Sequence, residues 1–266
     1  MGVVLGAEFI CAALLVAGPG AGPAGPGVAA VHDAQAFQTH PSQTQETSPA
    51  VAHTVRTPDG RSAQLIDLGA PGGDALLERI ATELPAATSA VTAFWGPRWR
   101  EDIAIVVAGS PEQFAVLAGG DADIAATTTV DRITFSPRAA GMSQTDLRTV
   151  LRHELFHYAA RADTAPDAPV WLTEGVADFV GRPAPAVPPT APPTPPTDAE
   201  LATPGPGRSA AYDRAWEFAT YIAHTYGVDK LRAFYIAAGG HDRTDARTAA
   251  RDVLGADLVG SRGAAR

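Results

Sequence analysis

Short apolar runs and alternation dominate the chain between residues 51 and 135, and a helical period takes over after Ser143. Ala52-His53-Thr54-Val55-Arg56 and Ser62-Ala63-Gln64-Leu65-Ile66 flank the turn sequence Pro58-Asp59-Gly60 and predict a β-hairpin. From Asp74 to Trp95 the apolar positions Leu76, Leu77, Ile80, Leu84, Ala87, Val91 and Phe94 follow one helical face, interrupted only by Pro85. Ile103 to Val107 reads as a buried strand, Pro111 to Leu117 as a short helix, and Ile124 to Thr128 and Val130 to Phe135 as two further strands. Beyond them, Ser143 suits an N-cap, and Leu147, Val150, Leu151 and Leu155 form the stripe that would seat a helix on the sheet. Helices are predicted again around Glu174 and over Ala210 to Tyr226, Lys230 to Ala238 and Ala246 to Leu254. The expected class is α+β, an N-terminal mixed β-sheet with helices followed by a helical C-terminal part.

Two segments break the pattern. Val3 to Ala17 is apolar apart from Glu8 and runs into a Gly/Pro/Ala tract ending before Val28-Ala29-Ala30. It is short for a membrane span and suits a secretory signal or N-terminal anchor over 1–30, with a polar spacer over 31–50; a buried N-terminal helix is the plainer alternative. The expected product is secreted or held at the cell envelope, with residues 3–17 available for membrane association. Between Pro183 and Gly207, ten of 25 residues are proline, which predicts an extended surface insertion without helix or sheet. The remainder, 51–260, reads as a single domain with a tail over 261–266.

Composition then narrows the chemistry. A formal net charge of -9 argues against a nucleic-acid partner, which needs clustered Lys and Arg. The single cysteine, Cys11, excludes an internal disulfide framework and a thiolate metal cluster, so any metal must be held by His, Asp or Glu.

Leu151-Arg152-His153-Glu154-Leu155-Phe156-His157-Tyr158 carries that possibility. Histidines four apart lie one turn above the other on the same helical face, so both imidazoles can reach one Zn²⁺. Glu154 is placed to take a proton from an activated water without itself being a ligand. A chain of this composition holds His-Glu-x-x-His by accident with a probability of roughly 0.7%, so the surroundings must decide. A catalytic zinc needs a third protein ligand. Glu174 follows seventeen residues after His157, and Asp178, four further on, could accept a hydrogen bond from the far nitrogen of a ligating histidine.

These residues resemble the gluzincin zinc metallopeptidases, which include thermolysin, the alanyl aminopeptidases and the small peptidase-MA-like domains. The match is close over His153 to Phe179 and looser over Tyr212 to Gly239. The resemblance implies a zincin-like fold, Zn²⁺ held by His153, His157 and Glu174, Glu154 as general base, Asp178 bracing a histidine, and a peptide or protein substrate. It also implies that Tyr212 stabilises the oxyanion, with His224 or His241 as the alternatives. In such enzymes the peptide lies along a sheet edge, here expected at Val130 to Phe135. Ala215 stands where that family has glycine, and the chain lacks the Asn of the aminopeptidase amine motif, so aminopeptidase specificity is not implied.

A metzincin arrangement would put a glycine at Ala160 and the third ligand at Asp163. Alanine does not readily make that turn, and no methionine follows Met142 to build a Met-turn, so Glu174 is preferred. From a different class comes an exported zinc-binding scaffold with no hydrolysis, against which the retained Glu154 counts. Tyr221, Phe234 and Tyr235 are most simply core, and Trp171 a packing anchor under the Glu174 helix.

Overall fold

The computed structural model describes residues 10–12, 51–119 and 124–258. The expected leader apart from 10–12, the spacer up to residue 50 and the tail lie outside the described residues.

The architecture is α+β: a small mixed sheet packed against helices. The hairpin forms as read, with β2 (Val51–Arg56) and β3 (Ser62–Asp67) antiparallel and Gly60 at φ 91 in the turn. α1 (Gly73–Trp95) then returns the chain so that β4 (Asp102–Val107) pairs parallel to β3. Pro85 removes one ladder donor inside α1 without ending it, because Leu84 and Ala87 beside it are fully buried. α2 (Pro111–Ala118) starts on Ser110, whose hydroxyl accepts from Gln113 N, and β5 (Ala126–Thr128) and β6 (Ile133–Phe135) follow as a second hairpin.

These two strands are shorter than the sequence suggests. Val130 is 65% exposed in the turn, where Thr129 N donates to Arg132 O, so it belongs to neither strand. The sheet order is β1-β5-β6-β4-β3-β2, with β1 at Ile10–Ala12. Phe135 therefore sits in an interior strand, paired parallel to β4 and antiparallel to β5. This overturns the expectation that Val130 to Phe135 offers an edge to a peptide: both sides of β6 are already hydrogen-bonded.

The helical half is α3 (Gln144–Ala160), α4 (Val170–Gly181), α5 (Asp198–Ala202), α6 (Pro206–Tyr226), α7 (Val228–Gly239) and α8 (Ala246–Leu254). α5 corrects the reading of 183–207 as free of helix. Within it, Thr197-Asp198-Ala199-Glu200-Leu201-Ala202 contains no proline, and Thr197 and Glu200 close a reciprocal capping box that starts a short helix with Leu201 buried. α6 also begins inside that segment, on Pro206, where a missing N–H costs nothing. One contiguous set of buried apolar side chains runs from Ala63 in β3 to Leu254 in α8. Trp171 packs edge-on against Phe218 at 5.2 Å, and Tyr221, Phe234 and Tyr235 are buried, as expected of core. No described helix is long and apolar enough to cross a membrane.

Candidate metal centre

The centre is built at the contact of α3 with α4. Ser143 caps α3 by accepting from Asp146 N, and Leu147, Val150, Leu151 and Leu155, all fully buried, fix the helix in rotation. That rotation turns His153 and His157 together toward α4. α4 can approach because two of its residues lack a side chain. A Cβ on Gly181 would lie 2.8 Å from Thr149 O in α3, and one on Gly175 2.4 Å from Ala215 O in α6. α4 is thus clamped on both sides, and Glu174, next to Gly175, enters between the histidines.

One ligand atom from each of His153, His157 and Glu174 lies within 4.8 Å of the others. His153 Nε2 is 3.0 Å from His157 Nε2 and 3.3 Å from Glu174 Oε2, and His157 Nε2 is 3.5 Å from Glu174 Oε1. Behind the group, His153 Nδ1 donates to Asp178 Oδ1 at 2.9 Å, which points Nε2 inward. All four residues are at most 2% exposed.

Electrostatics follow from that crowding. Burial alone would depress the His153 imidazole, but hydrogen bonds and charge from Asp178 and Glu174 outweigh it and raise its pKa to about 10. His157 is lowered, by burial and by the neighbouring His153, despite Glu174. Burial works to raise Glu174, yet the two imidazoles hold it down at about 2. Glu174 Oε2 is buried without a hydrogen bond of good geometry. Two imidazole nitrogens and a carboxylate around one point are the donor set of a divalent transition ion, so the residues fit a metal.

Glu154 projects from the same helix and is fully buried. Thr128, in β5, donates its hydroxyl to Glu154 Oε2 at 2.6 Å and lies 3.1 Å from Glu154 O. That residue carries no signal in sequence, because it stands 26 positions upstream on a strand. Arg182 was also missed. Its Nη2 pairs with Asp178 Oδ2 at 2.6 Å and its Nη1 donates to Asp213 of α6 at 2.7 Å, fixing the carboxylate that orients His153. Its i,i+4 spacing from Asp178 on a helix was the available clue.

The remaining expected residues are not among the three clustered ligand side chains. Tyr212 is 6% exposed on α6, three residues before the Ala215 that touches Gly175. His224 is exposed in the last turn of α6, and His241 is exposed with Nε2 3.0 Å from Ala162 O. Asp163, the metzincin alternative, is exposed in a 3-10 turn and lines a surface cavity with Trp95 and Arg232, outside the ligand group.

No family model matches the chain, and no curated protein matches it.

Proposed function

We propose that the chain is a zinc-dependent metallopeptidase of the gluzincin type, with a zincin-like fold, acting on a peptide or protein substrate outside the cytoplasm. The observation that carries this reading is the convergence of His153, His157 and Glu174 with Asp178 behind His153. His153, His157 and Glu174 would hold the ion. When bound, zinc supplies a Lewis acid that polarises a carbonyl and makes water acidic enough to be deprotonated near neutral pH. Glu154 accepts the proton of the attacking water and returns it to the amine nitrogen as the peptide bond breaks. The Thr128 hydroxyl donates to one oxygen of that carboxylate and holds the side chain in place. Asp178, itself held by Arg182, keeps the proton of His153 on Nδ1 and the lone pair on Nε2. Tyr212 is the proposed oxyanion donor on the strength of the family resemblance, supported by its place on the helix packed against α4.

A closed structural metal site is the second reading, favoured by one observation: the ligand residues and Glu154 are all at most 2% exposed. The two separate in one experiment. Purified wild type and a Glu154→Gln variant, both loaded with zinc, are assayed on unfolded casein. Cleavage by the wild type alone supports the peptidase; zinc in both with no cleavage by either supports the scaffold.

A further inference from the structure

The sheet edge nearest the metal centre is not free. β5 is the strand whose Thr128 holds Glu154, and on its outer side it pairs antiparallel with Ile10–Ala12, in the register Ile10 with Thr128, Cys11 with Thr127 and Ala12 with Ala126. Among the described residues β1 has no further neighbour, so it is the terminal described strand of the sheet on that side. It packs against β5 and also against α3, the helix that carries His153, Glu154 and His157. The backbone of Ile10 is therefore one strand spacing from the residue that touches the general base. Backbone pairing of this kind recognises an extended peptide irrespective of most of its side chains, and an unpaired edge is the surface that takes one up.

We propose that the outer edge of β5 is the strand-accepting surface of the centre, and that Ile10–Ala12 is its resident occupant, an intramolecular strand that excludes an extended peptide substrate. The inference rests on the peptidase reading of the site. A tethered strand competes at an effective concentration set by its linker, so an added peptide must displace it. Loss of residues 1–30, the segment whose composition suggests a cleaved leader, removes the strand and opens the edge.

The single native cysteine provides the test. In full-length Thr127→Cys, residues 11 and 127 are directly opposed, at a separation that a disulfide can span. Treated with diamide as the oxidant, this variant forms an intramolecular disulfide, read by intact mass and peptide mapping. With zinc bound, the crosslinked form cleaves unfolded casein more slowly than its reduced form by on the order of tenfold or more, because the open population is removed. Full-length Cys11→Pro, which weakens the strand at its middle residue, cleaves severalfold faster than wild type. Absence of the crosslink overturns the proposal, as does equal cleavage by crosslinked and reduced protein. A crosslink that forms in a protein whose reduced form and Cys11→Pro variant both lack hydrolysis supports the strand's seat on β5 and removes the peptidase reading instead.

Discussion

Glu83 and Glu174 are both buried carboxylates facing α3, and both are held down to about 2, yet they are held by different partners. Glu83, on α1, receives Arg148 Nε at 2.8 Å, Arg148 Nη2 at 3.0 Å and Gln144 Nε2 at 2.8 Å. Each of those atoms can only donate, so the cluster is complete and has nothing to offer a cation. Glu174 meets two imidazoles, which can give up a proton and present lone pairs. Burial and a depressed pKa are therefore shared by a structural tie and a candidate metal centre. The lone-pair chemistry of the partners is what separates them.

The largest expected effect lies on the Glu174 side. Glu154→Gln lowers casein hydrolysis by about 10²–10⁴-fold with zinc content unchanged, measured by initial rates and elemental analysis; full activity in the variant would remove Glu154 from the chemistry. Asp178→Asn, which takes the charge from behind His153, weakens zinc binding by about 10–100-fold in a competition titration against a chelator, whereas Glu83→Gln leaves it unchanged. An equal effect from both would erase the distinction between the two clusters. Gly175→Ala drives a methyl into Ala215 O and destabilises the fold by about 1–3 kcal/mol, read as a lower Tm; an unchanged Tm would mean that α4 is not clamped as described.

The smallest effect is the acid dependence of the Glu83 tie. Hydrogen bonds from Arg148 and Gln144 lower its pKa from 4.5 to about 2 in the folded chain. A depressed carboxylate contributes its stabilisation above the unfolded value and loses it as pH falls from 4.5 toward 2. Wild type should exceed Glu83→Gln in urea midpoint at neutral pH, and the gap should shrink across that window. A gap independent of pH would contradict the assignment.

Much of this was legible in the sequence where one local rule sufficed. Pro58-Asp59-Gly60 gave away the first hairpin, Ser143 the start of α3, and the spacing of His153 and His157 their common face. Glu174 and Asp178 could be picked out because helical periodicity places them on one side of α4. What stayed hidden depended on pairing between distant segments. Nothing local shows that Ile133–Phe135 is flanked by β4 and β5, or that Ile10–Ala12 joins the sheet instead of forming an apolar helix. Thr128 was missed for the same reason, since it matters only through a contact made across elements, whereas Arg182 stands four residues after Asp178 and its clue was local. The proline count over 183–207 concealed a proline-free hexapeptide with both halves of a capping box.

Zinc stoichiometry of the full-length protein, measured by elemental analysis for wild type, His157→Ala and Glu174→Ala, tests the metal centre most directly. About one zinc per wild-type chain, with substoichiometric zinc in both folded variants, is the predicted result. No zinc in the wild type, or zinc retained equally by all three, would contradict a centre built from His153, His157 and Glu174.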